Sequence, residues 1–226
     1  MNAGDEKMKR LLLFLLMLMF CLPVCAEQQT TILGHMPDDE YIHQHVAPNG
    51  QLLWFTAIEK NPYIKMEDVN FDGTEDIVVF TVRGASNFFV EFFLYDAQAD
   101  MYTLATHPGD ELGICNYGLH PELGLVEYQA NNGSAGAEHE RRLYRWEGNE
   151  LKLIRSAVSE TKMESTFDNG VYMDVYYYDI LHMAVRDHTQ GDWEGSVVWV
   201  KTITMDEDTF SAAYEEEMAA LWQGLK

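Results

Sequence analysis

A short acidic segment, residues 68–76, constrains the fold and the chemistry of this chain more than any other. Its sequence is Asp-Val-Asn-Phe-Asp-Gly-Thr-Glu-Asp, with oxygen-bearing side chains at positions one, three, five and nine and glycine at position six. Calcium binds six to eight oxygens at about 2.3–2.6 Å, and this alternate spacing around a turn that glycine permits directs successive oxygens toward one centre. The segment therefore predicts a Ca2+ site formed by Asp68, Asn70, Asp72, Asp76 and the main-chain carbonyl of Thr74.

The same residue types are common in turns, so a plain acidic turn between two strands is the alternative interpretation. Carboxylates crowded into so short a segment repel one another by about 1 kcal/mol or more per close pair without a cation between them, which favours the metal site. The site is not an EF-hand, because position twelve is Val79 and the β-branched apolar run 77–80 predicts a strand where that motif has a helix. We therefore expect Asp76 to complete the coordination shell.

Turn signals divide the chain into antiparallel hairpins. Residues 47–50, 96–100 and 147–150 each separate two apolar, strand-forming runs. Further strands are predicted at 124–129, 171–180, 180–186 and 196–205, and apolar residues at spacings of three and four predict a helix at 208–225. The predicted fold is one mostly β domain over residues 27–226, with antiparallel hairpins that form a sandwich, a barrel or a propeller-like sheet, and one C-terminal amphipathic helix.

The first 26 residues have the pattern of a signal peptide. A basic stretch at 7–10 precedes an apolar run at 11–22, and small residues up to Ala26 suit cleavage after that position. The apolar run is shorter than the about 20 residues that a membrane helix needs. We therefore expect a secreted or periplasmic protein without stable membrane insertion.

Charge and cysteine content limit the partners and the means of stabilisation. The net charge of −22 becomes −23 when the three basic and two acidic residues of the signal peptide are removed. Such a surface repels nucleic acids and favours a cation or a basic protein. Cleavage leaves Cys115 without a disulfide partner, so a Ca2+ ion that binds the folded chain is the expected substitute. A lipid anchor on Cys21 or Cys25 is the alternative outcome for the N-terminal segment.

Several short motifs occur in an order that resembles a known family. The acidic segment with the strand after it is similar to the calcium loops of FG-GAP-type repeat proteins and integrin-like propeller blades. Over residues 60–160 the order of motifs resembles calcium-binding periplasmic immunity proteins, which protect bacteria from lysozyme-like effectors delivered by type IV secretion. The motifs are Asn70-Phe71-Asp72-Gly73, Gly84-Ala85-Ser86-Asn87, Tyr95-Asp96, Gly136-Ala137 and, at 144–151, Tyr-Arg-Trp-Glu-Gly-Asn-Glu-Leu.

Two loops are candidate partner-binding sites. The small, polar tip 131–137 is either a plain hairpin loop or a binding loop with Asn132, Ser134 and Gly136 as contacts. In lysozyme inhibitors of similar kind, a Ser-Gly loop that ends in tyrosine enters the target's active site; here an alanine separates Ser134 from Gly136, and the next tyrosine is Tyr144. Trp193, in the loop 187–195, either contacts a partner or folds back onto the domain.

The sequence indicates no catalytic residues, because it contains no Gly-x-Ser-x-Gly, Walker or dinucleotide motif. The resulting hypothesis is an exported, calcium-stabilised binding module. The resemblance implies an inhibitor or immunity protein whose partner is a basic, lysozyme-like peptidoglycan hydrolase. Two alternatives stay open. One is a calcium-dependent glycan hydrolase, which needs two carboxylates about 5–10 Å apart in a cleft, and the other is a cell-surface adhesion or scaffold module.

Overall fold

The structure, a computed structural model, describes residues 30–36, 40–107, 113–133, 137–168, 171–192, 194–204 and 207–225. The predicted signal peptide lies outside these ranges. Within them the chain forms fourteen strands and one helix. In chain order these are β1 (Thr30–His35), β2 (Tyr41–Val46), β3 (Leu52–Ala57), β4 (Ile64–Glu67), β5 (Asp76–Arg83), β6 (Phe88–Asp96), β7 (Met101–Leu104), β8 (Ile114–Cys115), β9 (Gly118–His120), β10 (Leu125–Gly133), β11 (Glu138–Glu147), β12 (Glu150–Asp168), β13 (Val171–Asp187), β14 (Ser196–Thr204) and helix α1 (Glu207–Trp222).

The strands form three antiparallel sheets. The first has the order β1-β2-β3, the second has the order β4-β5-β6-β7 with β8 paired to β6, and the third has the order β14-β13-β12-β11-β10-β9. The prediction of a mostly β protein built from antiparallel hairpins with one C-terminal helix is confirmed. Each sheet keeps open edges in the described part of the chain, so a sandwich-like stack describes it better than a barrel.

The second sheet is the central layer of this stack. On β5, Val78 belongs to the core shared with the third sheet, whereas Ile77 and Val79 belong to the core shared with the first sheet. This division follows from the alternation of side chains along a strand. The nearly continuous apolar sequence of β6 has the same cause, since Phe92 and Phe93 are buried on opposite faces. A strand covered on both sides needs apolar residues at every position.

Helix α1 covers the outer face of the third sheet. It starts one residue before and ends three residues before the predicted helix at 208–225. Its face toward the sheet includes Ala213 and Leu221, both completely buried. The helix ends where Nη1 of Arg155 donates to three main-chain carbonyls at 3.2, 3.4 and 2.7 Å, those of Ala220, Leu221 and Gln223.

Two strand boundaries differ from those that the sequence predicts. The strand expected at 124–129 continues as β10 to Gly133, because its main chain stays paired with β11 as far as Glu138. Part of the expected polar tip 131–137 is therefore strand. The strands expected at 171–180 and 180–186 are one continuous strand, β13. Main-chain pairing depends little on side-chain polarity, and so it extends beyond the apolar positions that mark a strand in sequence.

Candidate calcium site and partner surface

The acidic segment forms the loop between β4 and β5, and Asp76 is the first residue of β5. Two residues in the loop have positive φ, Phe71 at 64° and Gly73 at 89°. Glycine adopts this conformation without steric cost. The segment therefore turns at Gly73, its sixth position.

Four of the five predicted ligand residues are brought together in this loop. Asp68 accepts the main-chain amides of Asp72 and Gly73 at 3.1 and 3.0 Å. The Asp72 amide also lies 3.1 Å from the side-chain oxygen of Asn70. Asp72 in turn accepts the amide of Thr74 at 2.8 Å and its hydroxyl. The oxygens of Asp68, Asn70 and Asp72 consequently face the inside of the turn.

The fifth predicted ligand, Asp76, is completely buried. Its Oδ1 accepts the amide of Tyr95 at 2.8 Å, and its Oδ2 accepts the amide of Val69 at 3.0 Å. This carboxylate thereby holds the start of the loop against strand β6. A carboxylate has about four acceptor positions, so these two hydrogen bonds leave it able to bind a cation as well.

The carboxylates of Asp72 and Asp76 in the loop have altered pKa values and no basic partner among the described residues. Burial raises the pKa of Asp76 to about 6; the two amides it accepts lower this pKa, and the negative charges of Asp72 and Asp68 raise it. Burial acts in the same direction on the Asp72 carboxyl, but its hydrogen bonds from Thr74 and Asn70 leave that pKa below the ordinary value. Among the described residues, no lysine or arginine forms an ion pair with these carboxylates. Nor, within the same residues, are three His, Cys, Asp or Glu side chains grouped as a ready metal cage.

A tryptophan that the sequence does not mark for this role anchors the loop. The indole N–H of Trp146 donates to the carbonyl of Val69 at 2.8 Å. Val69 itself is completely buried, and the indole packs against Phe92 with ring centroids 6.1 Å apart. The contact joins the third sheet to the loop across 77 positions of sequence. No local pattern could have indicated it.

An open cleft of about 540 Å3 lies beside the loop. Asp72 lines it from the loop, and Asp96, the last residue of β6, lines it from the start of the turn to β7. The Asp96 carboxylate accepts the amides of Gln98 and Ala99 at 2.8 and 3.2 Å, and so it closes that turn. The cleft thus holds two carboxylates, both already hydrogen-bonded to the turns that carry them.

The predicted partner contacts are described only in part. Asn132 is exposed near the end of β10. The neighbouring Asn131 is fixed by Asn87, which accepts its amide and donates to its carbonyl, both at 3.0 Å. The end of the β10–β11 hairpin is therefore attached to the second sheet. The other three predicted contacts lie outside the described residues: Ser134, Gly136 and Trp193.

Fold and loop together define a class: an antiparallel, sandwich-like β protein with an acidic, glycine-containing loop ahead of a central strand. Within the described ranges, no helix combines the length and the apolar character that crossing a bilayer requires.

Comparison with known proteins adds one structural neighbour. No family model matches the chain, and no curated protein matches it. Among solved structures, the chain is similar to a Xanthomonas type IV secretion system related protein, at 13% sequence identity and a TM-score of 0.44, over 78% of this chain and 88% of that chain. The similarity is weak, and the function proposed for this chain does not depend on it.

Proposed function

We propose that this chain is an exported binding protein whose fold is stabilised by one Ca2+ ion in the loop 68–76. One observation carries the proposal: Asp76 is completely buried, the negative charges of Asp68 and Asp72 raise its pKa, and no basic side chain of the described residues is ion-paired with any of the three. An isolated buried charge is costly, and a bound cation offsets that cost. Calcium also prefers the carboxylate, amide and carbonyl oxygens that this loop offers.

The roles of the loop residues follow from their positions. Asp68, Asn70, Asp72 and Asp76 would supply side-chain oxygens, and Thr74 would supply its carbonyl. The ion would keep Asp76 ionised below pH 6 as well, because it favours the carboxylate. Because Asp76 also binds the amides of Val69 and Tyr95, the ion would stabilise the contact between the loop and β6.

The proposed partner surface is the end of the β10–β11 hairpin. Asn87 fixes the main chain of Asn131, so the base of this hairpin end is ordered before any partner arrives, and less conformational entropy is lost on binding. Asn132 is exposed there, next to Ser134 and Gly136 in the sequence. The resemblance to immunity proteins implies a lysozyme-like peptidoglycan hydrolase as the partner, and the net charge of −22 favours a basic one.

The alternative of a glycan hydrolase has less support. Such an enzyme needs a carboxylic acid with a raised pKa to protonate the leaving oxygen. In the cleft beside the loop, the pKa of Asp72 is lowered by its hydrogen bonds from Thr74 and Asn70. The second carboxylate of the cleft, Asp96, is occupied by the amides of its own turn.

Calcium-dependent thermal unfolding tests the metal site. A ligand present at 100 times its Kd stabilises the folded state by about 2.7 kcal/mol, so added Ca2+ should raise the unfolding midpoint of the wild type. Asp72→Ala should lose most of this response. Asp96→Asn is the matched control, because it removes a charge from the same cleft, keeps the acceptor oxygen of the turn and leaves the loop intact. A wild-type midpoint that does not move with Ca2+ would exclude the site.

Binding and inhibition assays test the partner. Without the signal peptide, the protein should retain a peptidoglycan hydrolase from envelope extracts in Ca2+ and release it in chelator. It should also slow that enzyme on cell-wall substrate, and Asn132→Ala should weaken the inhibition without changing the unfolding midpoint. If a panel of lysozyme-like enzymes is neither bound nor inhibited in Ca2+, the inhibitor function is wrong even if the metal site is correct.

A further inference from the structure

A second site lies on the third sheet, away from the calcium loop and the hairpin end. Ser156 of β12 is directly opposite Arg142 of β11 in one pairing and directly opposite Arg186 of β13 in the other. Residues directly opposite in antiparallel strands share a face, with Cβ atoms about 4.5–5.5 Å apart. The Cβ atoms of the two arginines therefore flank the Cβ of Ser156 on one face of the sheet.

This hydroxyl is hydrogen-bonded to an imidazole. Ser156 Oγ lies 2.9 Å from Nε2 of His188, and Nδ1 of His188 lies 3.0 Å from the carbonyl oxygen of Asp192. A carbonyl can only accept, so Nδ1 carries a proton, and in the neutral ring Nε2 must then accept. The Ser156 hydroxyl consequently donates to Nε2. A hydroxyl, a basic nitrogen and an acceptor that orients the base form the arrangement of activated hydroxyl nucleophiles.

The loop 187–195 holds the imidazole in this orientation. The amide of His188 donates to the carbonyl of Ile154, and its carbonyl accepts the amide of Gly191, both at 2.9 Å. Gly195 has a φ of +65°, and a Cβ at this position would stand 2.6 Å from Cε1 of the ring. Only glycine fits there. The main-chain hydrogen bonds of His188, the contact of its Nδ1 with Asp192 and the close approach of Gly195 together fix the ring, as a preorganised site requires.

The serine and the histidine both line an open cleft of about 340 Å3. Each is only 6% exposed, so a small molecule reaches them through this cleft. Two further lining residues, Arg142 and Arg186, are held by Glu140 at 2.6 Å and by the carbonyl of Glu194 at 3.0 Å. A guanidinium has five N–H donors, so each arginine keeps donors for a bound anion.

We propose that Ser156 is a nucleophile with His188 as its general base, in a site that accepts the acyl group of a small carboxylic ester. Oγ adds to the ester carbonyl carbon while its proton passes to Nε2 of His188. The bond from that carbon to the alcohol oxygen then breaks, and Nε2 returns the proton to the departing alcohol. Water, deprotonated by the same nitrogen, hydrolyses the acyl-serine to the carboxylic acid and restores the hydroxyl.

The flanking arginines have a defined role in these steps. Each addition to the carbonyl places a negative charge on its oxygen beside Ser156. Arg142 and Arg186 both line the cleft with Ser156. The Arg142 guanidinium is ion-paired with Glu140 and lies over the Tyr128 ring, so Arg186, which no carboxylate of the described residues pairs with, supplies the positive charge that stabilises this oxyanion. This activity goes beyond the proposed binding function and requires neither Ca2+ nor the hairpin end. Failure of either proposal therefore leaves the other testable.

Labelling with an alkyl fluorophosphonate tests the nucleophile. The reagent forms a bond from phosphorus to an activated serine oxygen and loses fluoride. We expect mass spectrometry of the folded protein to find one phosphonyl group, on Ser156, and Ser156→Ala to lack it. His188→Asn keeps an amide donor but no base, and it should slow labelling by about 100-fold or more. Ser159→Ala is the matched control, since Ser159 is a buried serine of β12 whose hydroxyl has no partner in the described structure, and labelling should be unchanged.

Two further measurements keep the result interpretable if a variant unfolds. In Ser156→Cys, iodoacetamide should alkylate the new thiol faster than it does in the same variant with His188→Asn, and equal rates would overturn the assignment of the base. We expect the wild type to hydrolyse p-nitrophenyl acetate and Ser156→Ala to have lost this activity. No labelling of Ser156 above the level of the urea-unfolded chain overturns the nucleophile, and no ester hydrolysis overturns the reaction.

Discussion

The loops 68–76 and 187–195 are both acidic and contain glycine, yet their carboxylates have opposite environments. In the first, Asp76 is buried near Asp68 and Asp72, and its pKa rises to about 6. In the second, Asp187 accepts hydrogen bonds from Thr189 and, at 2.7 Å, from Arg155, and its pKa falls to about 2. Composition is therefore a poor guide to what an acidic loop does. The second loop is paired with Arg155, whereas no lysine or arginine of the described residues is ion-paired with the carboxylates of the first.

Removing the buried carboxylate should have the largest effect. Asp76→Ala leaves the amides of Val69 and Tyr95 without their acceptor. Each unsatisfied buried donor costs about 1–3 kcal/mol, so we expect the free energy of unfolding in chelator to fall by about 4 kcal/mol. Urea denaturation measures this loss. The counterpart Asp187→Ala removes a more exposed carboxylate and should cost about 1 kcal/mol. Equal losses would show that the two loops do not differ as described.

The pH dependence should come next in size. Because the folded pKa of Asp76 is raised to about 6 from 3.8, the unfolded chain loses this proton first as the pH rises. Stability in chelator should therefore fall between pH 4 and pH 6, by about 3 kcal/mol from this group. Urea denaturation of wild type and Asp76→Asn at both pH values isolates this contribution. Saturating Ca2+ should abolish the fall, since the ion favours the carboxylate. If the wild type loses as much stability between pH 4 and pH 6 in Ca2+ as it does in chelator, the metal site is wrong.

The second loop should show the opposite and smaller response. The folded pKa of Asp187 is lowered to about 2, first by its hydrogen bonds from Thr189. Its stabilisation is therefore complete above pH 4 and is lost as the pH falls through about 2. The side chain is 23% exposed, so solvent screening limits the contribution to about 1 kcal/mol. Acid titration of stability in Asp187→Asn should lack this step, while Asp192→Asn should retain it. If both variants lose the same amount of stability as the pH falls through about 2, this loss comes from a group other than Asp187.

The sequence predicts the strands well because their causes are local. Turn residues at 47–50 and 147–150 and the alternation of apolar residues lie within single hairpins, and both hairpins form as expected. The convergence of Asp68, Asn70 and Asp72 is equally local, since it depends on spacing around Gly73. Whether the loop binds calcium and which partner the hairpin end contacts stay predictions.

Contacts between distant segments could not be predicted. Asp76 receives the amide of Tyr95 from the next strand, and Ser156 meets His188 from 32 positions away. Each partner is an ordinary residue in its own surroundings, and only the pairing of strands brings them together. The Ser156 site has no sequence motif for the same reason, because its histidine lies in a loop after a different strand.

Arg155 has a consequence for the order in which the protein folds. Its guanidinium binds carbonyls at the end of α1 as well as Asp187, so one side chain depends on residues made 65 to 68 positions later. Until residues 207–225 have been synthesised, Arg155 lacks these acceptors, and the apolar face around Leu143 and Ala157 lacks its cover. The hairpins of a growing chain can pair early, but this face of the third sheet is buried only after helix α1 has formed and packed against it.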